Sequence, residues 1–366
     1  MYRNFHKAKI KIDDWTKNQL FYLSKRSFCH SKSWKINQIN EDLPKIYIYD
    51  LPRKYKPTYE LELVSETYFA LFDFFRLYCR TYDPQNADYF FVPINLIQFQ
   101  FRNVNPEDIL NSLKYYDPNY CNHIIIALGD FSQHSRKNHY GHAYQTIYEW
   151  LTKFKLLALE STSDLIPNQD IGIIPFNTLS EKPFFHVNKR PFLYSFFGEL
   201  SHRYLPHSHI RNKIKYLPKN FDTFIGSDLS CTDKEKLKQL FNTKNDYELL
   251  ARNSIFTLAP AGYGRWTYRF FQAIQWGSIP VLLSDDYIKP FEDTIPYGEF
   301  CITFPEKNIG ELDEYLRSFD KNDIEKLQNS LQRNQYHFTY VEFFRKLCNR
   351  LNKDIDAIHK GRINEK

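Results

Sequence analysis

SIFTLAPAGYGRWTYRFFQAIQWGSIPVLLSDD, residues 254–286, reads as strand, glycine loop, helix and strand, and the rest of the chain is organised around it. Ser254 to Leu258 is short, apolar and followed by Ala-Pro, as expected of a buried parallel strand. Next comes Ala261-Gly262-Tyr263-Gly264-Arg265-Trp266, where two glycines admit backbone paths that a Cβ resists and leave amide groups to face a ligand. Thr267 is placed to cap the following helix with its hydroxyl, and Gly277 to end it in the left-handed conformation. Arg269 then falls in the first turn, at the positive end of the helix dipole. Loop amides, dipole and guanidinium converge there on a point where a phosphate can bind. Ser278 to Ser284 reads as the returning strand and carries Asp285 and Asp286 to the same sheet edge.

On the residues alone this motif has two readings. Gly-x-Gly before a helix is common, and Thr267 stands where a dinucleotide fingerprint has its third glycine. A Walker loop is excluded, because no Gly-Lys-Ser/Thr follows. A tight turn whose arginine pairs with a nearby carboxylate is the alternative to a phosphate site.

At 366 residues the chain suits two domains with extensions. Lys and Arg number 49 against 43 Asp and Glu, a net charge of +6. That mild excess could favour anionic sugar nucleotides or a membrane surface, and the charges are too dispersed to identify a nucleic-acid binder. The 27 tyrosines and 32 phenylalanines permit carbohydrate stacking, but codon bias accounts for most of them more simply. Six cysteines lie far apart without a C-x-x-C pair, so zinc-ligand spacing is absent, and Cys79 reads as a buried thiol. The opening MYRNFHKAKIKIDDW is polar, and no window reaches 18 uninterrupted apolar residues. The chain as given therefore reads as soluble and cytoplasmic, or as a fragment lacking its anchor.

Residues 1–44 read as an N-terminal extension. Strands are expected at 45–52, 87–93, 123–128 and 171–175, with helices at 66–79, 106–115 and 140–160 between them. This alternation argues for one Rossmann-like domain over 45–180, with 176–189 as a linker. A second runs over 181–330, through Arg211 on a helix and a strand at 222–224, and residues 331–366 form a helical tail. Asp130 follows HIIIALG, so it is delivered to the carboxyl end of a strand, where ligands bind in open α/β sheets. Its alternative is a cap for the next helix.

Laid in order, KIYIYDLP, RTYDPQNADYFFVP, HIIIALGD, DIGIIPF, FLYSFFGELSH and SIFTLAPAGYGRWTYRFFQAIQWGSIPVLLSDDYIKPFED resemble the exostosin family, family 47 of the glycosyltransferases. The resemblance covers about 45 to 310. It implies an α/β fold of GT-B type, two Rossmann-like domains facing a cleft, with C-terminal helices. It also implies an inverting, metal-independent transfer of sugar from a nucleotide donor, a UDP-sugar, to a glycan hydroxyl, with the donor held by the second domain and no metal cofactor. A partner glycosyltransferase is compatible with this picture.

Arg269 matches the arginine of the family's Ser-x-Arg, with Thr267 in place of serine. Gly262, Gly264, Arg265, Ser284, Asp285, Gly198 and Arg211 complete the expected donor site, and Asp130 is the candidate base for the acceptor hydroxyl. Family members usually carry glutamate three residues after that arginine, where this chain has Gln272, which keeps an acceptor of similar length without the charge. A catalytically silent relative that binds glycans or supports an active partner is the alternative this substitution suggests. Asp354-Ile355-Asp356 has the D-x-D form of metal-dependent transferases but falls in a charged terminal helix and reads as a solvated face. Histidines 134, 139 and 142, and 202, 207 and 209, lack zinc spacing and read as loop residues.

Overall fold

The computed structural model describes residues 42–52, 55, 62–94, 105–118, 122–128, 150–162, 169–180, 190–200, 209–229, 243, 245–262 and 264–364. β1 (Ile46–Ile48), β2 (Arg80–Thr81), β3 (Tyr89–Phe91), β4 (His123–Ala127), β5 (Lys155–Ala158) and β6 (Ile171–Gly172) form one parallel sheet, in the order β2-β1-β3-β4-β5-β6. β7 (Phe192–Phe197), β8 (Thr223–Gly226), β9 (Ser254–Pro260), β10 (Ile279–Leu283) and β11 (Ile302–Thr303) form the other, in the order β11-β10-β9-β7-β8. The central strands β4, β5 and β10 are buried along their whole length, whereas the short β2, Arg80-Thr81, faces solvent. Along β4, Ile124 and Ile126 enter one core while Ile125 and Ala127 enter another. Along β10, Ile279, Val281 and Leu283 alternate in the same way with Leu282. Two-sided burial is why these strands show no polar face in the sequence.

Each sheet begins with the same topology. The first two strands are neighbours, and the third returns on the far side of the first, giving a reversal between β1 and β3 and again between β7 and β9. The carboxyl edges of the two sheets meet. Beyond β5, the Glu160 carboxylate accepts from the Arg265 amide at 2.6 Å, and the Ser161 carbonyl accepts from the Ile288 amide at 2.8 Å. Two parallel Rossmann-like sheets apposed in this manner are the expected GT-B arrangement.

The helices are α1 (Glu62–Phe74), continued by a π turn over Phe75–Cys79, α2 (Pro106–Leu110), α3 (His209–Ile214), α4 (Asp246–Arg252), α5 (Tyr268–Gln275), α6 (Leu312–Arg317), α7 (Lys321–Asn334) and α8 (Tyr340–Asn364). One core joins both halves: Phe91 and Ile124 of the first sheet cluster with Phe270 and Ile274 of α5 and Phe344 and Leu347 of α8. The final helix is therefore no loose tail. Phe344 stacks on Phe74 with ring centroids 4.1 Å apart, and the Tyr89 hydroxyl donates to the Leu351 carbonyl at 2.8 Å.

Four sequence expectations need correction. Of the helix read over 140–160, residues 140–149 lie outside the described residues, and the described part leaves the helix after Leu151 and becomes β5, because the apolar run around Leu156 and Leu157 supplies a buried strand that periodicity cannot distinguish from a helix. The helix read over 106–115 stops at Leu110 and passes into turns. In the proposed linker, Phe176 and Leu179 lie in the core, and Ser180 bridges to Thr339. Asp354 is not solvated: its carboxylate meets the buried Lys155 ammonium of β5 at 2.7 Å, so the D-x-D pattern supplies a structural ion pair.

Candidate active site

The site lies at the β7/β9 reversal, beyond the carboxyl ends of the strands, where open α/β sheets form their ligand-binding crevice. β9 ends at Pro260, the glycine loop follows, and α5 starts where Thr267 stops the loop: its extended backbone (φ −149°) lets Oγ1 accept from the Arg269 amide at 3.3 Å. Gly277 ends the helix with φ 73°, a conformation that favours glycine. Arg269 is thereby fixed in the first turn.

Three groups shape its guanidinium. The Tyr247 ring of α4 lies 3.4 Å beneath it, Nε donates to the Phe197 carbonyl at 3.2 Å, and Nη1 donates to Gln272 Oε1. Burial lowers the Arg269 pKa to about 10; nearby Tyr247 opposes the shift and nearby Arg211 adds to it, so the side chain stays charged at neutral pH. Arg211, on α3, lies close enough to act on Arg269, its Nε donating to the Ala261 carbonyl at 2.9 Å and Nη1 to the Glu199 carbonyl at 3.4 Å. The role of Gly262 follows from this approach. Its φ is not left-handed; rather, a Cβ there would stand 2.8 Å from Arg211 Nη2. Two cations converge at the start of a helix, and an anion between them would relieve their repulsion.

Other predicted residues serve the loop itself. Arg265 pairs with the buried Glu306 carboxylate at 3.0 Å, its carbonyl accepts from Ser284 Oγ at 2.8 Å, and its amide is held by Glu160. Asp285 and Glu306 exchange hydrogen bonds: the Glu306 amide donates to Asp285 Oδ1 at 2.9 Å, and the Asp285 amide to Glu306 Oε1 at 3.2 Å. His209 Nε2 lies 3.2 Å from Glu306 Oε2. Gly264 accepts from the Gly262 amide, and the Gly198 amide is spent on the Gly226 carbonyl at 2.9 Å. Asp130, with Tyr263 and histidines 134, 139, 142, 202 and 207, lies outside the described residues. Sequence reasoning brought Arg211, Gly262, Thr267, Arg269 and Gln272 to one place. It missed Tyr247, Glu160 and Glu306, which have no motif: Glu160 closes a run read as helix, and Glu306 follows a strand of ordinary composition.

The Exostosin GT47 domain matches residues 40–319. This chain belongs to the exostosin family, family 47 of the glycosyltransferases. Among its relatives are a rice (Oryza sativa subsp. japonica) protein named "Probable glucuronosyltransferase" and an Arabidopsis thaliana protein named "Probable beta-1,4-xylosyltransferase", each 34% identical over 111 residues, or 29% of this chain. Drosophila melanogaster Exostosin-1 is 37% identical over 87 residues, 24% of this chain and 11% of its own length. The matches to the rice and Arabidopsis proteins span about a quarter of those relatives, 26% and 27%. A solved structure described as the GtfA/B complex aligns with 68% of this chain and 60% of its own at 11% identity and a TM-score of 0.35, too distant for any inference. Among the described residues of this exostosin-family protein, no helix is long and apolar enough to cross a membrane.

Proposed function

We propose that this protein is an inverting, metal-independent glycosyltransferase that moves a sugar from a UDP-sugar to a hydroxyl of a glycan. The observation that carries this reading is the pair Arg211 and Arg269, held by backbone carbonyls at the start of α5 and at the reversal of the second sheet. As the bond from the anomeric carbon to the donor diphosphate breaks, negative charge develops on the departing oxygens. The two guanidiniums and the positive end of the α5 dipole stabilise that charge without needing a divalent cation. The acceptor hydroxyl attacks the opposite face of the anomeric carbon, which inverts it, and its proton passes to a carboxylate of the first domain, for which Asp130 is the candidate. Names carried by the relatives support a glucuronosyl or xylosyl group as the one transferred.

A thermal-shift titration with UDP, followed by a mass-spectrometric screen of UDP-sugars against simple glycan acceptors, tests this reading. UDP should raise the midpoint, one donor should be consumed, and Arg269→Ala should lower kcat/KM about 100-fold or more, the ~3 kcal/mol typical of losing one stabilising donor in a transition state. Full activity in Arg269→Ala would sink the assignment. UDP binding with no transfer to any acceptor would point instead to the catalytically silent relative suggested by Gln272.

A further inference from the structure

The last turn of α3 and the chain from it to β8 carry a basic-aromatic patch that no part of the donor site uses. Within residues 213–221, KIKYLPKNF, the Phe221 side chain is 98% exposed and Tyr216 78%, whereas most large apolar side chains among the described residues are buried. Lys213 and Lys219 are exposed, and the Lys215 ammonium lies 4.7 Å from the centre of the Tyr216 ring. None of the three lysines makes an ion pair among the described residues. The two adjoining acids share one arginine, which leaves a single negative charge against the three lysines. Asp222 binds Arg317 at 2.9 Å and Asp313 binds the same guanidinium at 3.0 Å, so the patch keeps a positive charge.

We infer that this loop docks on an anionic lipid bilayer, Phe221 entering the headgroup boundary while Lys213, Lys215 and Lys219 meet lipid phosphates and carboxylates. An exposed phenyl ring has no hydroxyl to satisfy and gains by leaving water, and ammonium groups beside it are attracted by a negative surface. Tyr216, half apolar and half polar, belongs at the same depth. The fold supports this placement. The loop enters β8 at its amino end, whereas the donor site lies beyond the carboxyl ends of β7 and β9, and β7 and β8 are parallel. Docking therefore leaves the crevice open to solvent.

Flotation of the full chain with vesicles tests the inference. The protein should float with vesicles containing about one-third phosphatidylserine, not with phosphatidylcholine alone, and should be released as salt rises from about 0.1 M to 0.5 M. Phe221→Ser should weaken binding about tenfold, and K213E/K215E/K219E should abolish it. Both variants should keep the parent's thermal midpoint and its response to UDP, since Phe221, Lys213 and Lys219 are exposed and Lys215 is half-exposed. Failure to float with anionic vesicles, or equal flotation of parent and variants, overturns the inference. Retention on a soluble anionic polysaccharide without vesicle binding also overturns it, and would make the loop a glycan surface.

Discussion

Gln272 sets how much charge Arg269 can offer a ligand. Its side-chain oxygen accepts from Arg269 Nη1, so the guanidinium is oriented by a neutral group and keeps its full charge. A carboxylate at this position would orient it as well, but would also cancel part of that charge before any ligand arrived. Gln272→Glu is accordingly expected to weaken pyrophosphate binding about tenfold, or ~1.4 kcal/mol, by calorimetry. If the variant instead binds UDP more tightly and pyrophosphate unchanged, the side chain serves the ribose and not the phosphates. The coupling was invisible in the sequence, where three-residue spacing shows only that the two side chains share a helix face.

At the level of elements, the strand-loop-helix-strand unit was legible because each part has a local cause: apolar strands, a hydroxyl cap at Thr267, a left-handed glycine at 277. β5 was not, since Lys155 within its apolar run becomes compatible with burial through partners outside it, above all the Asp354 carboxylate 199 residues away. Tyr247 could not be read either, because its importance depends on α4 packing beside α5. The same long-range logic places Arg190. It sits beyond the carboxyl ends of α4 and α5, where helix-end carbonyls and two helix dipoles favour a cation. Its Nη1 donates to the Ala251 and Ser254 carbonyls at 2.9 and 2.8 Å, and its Nη2 to the Gly277 carbonyl at 2.6 Å. Burial, and then the neighbouring Arg252, lowers its pKa to about 9, so it stays protonated at neutral pH. Arg190→Ala leaves three carbonyls without this donor and should cost ~3 kcal/mol or more in urea unfolding. Arg190→Lys should recover only part of that, because a single ammonium cannot reproduce the spread of the guanidinium fork. An unchanged unfolding midpoint in Arg190→Ala would show that water replaces the side chain.

Across the whole molecule, the crevice keeps its shape only if the two sheets hold their relative position, and α8 is the part of the chain that returns from the second half to the first. Its apolar side is anchored by Phe344 on Phe74, and its polar side by Asp354 on Lys155. Lys155 is 2% exposed and also donates to the Gln169 carbonyl at 2.5 Å, while Arg350 Nε stands 3.7 Å from the other Asp354 oxygen. Desolvating both charges offsets much of their attraction, so the pair need contribute little net stability, yet removing one partner strands the other inside the protein. Asp354→Ala is expected to destabilise the fold by ~3–5 kcal/mol, whereas the double change K155M/D354L should return most of that loss. Urea denaturation gives the energies, and amide exchange shows where they act: in Asp354→Ala, protection should fall in β5 and α8 while β9 and β10, on the far side of the crevice, stay protected. Equal loss of protection in both sheets would mean that the ion pair supports the protein globally rather than fastening α8 to the first sheet.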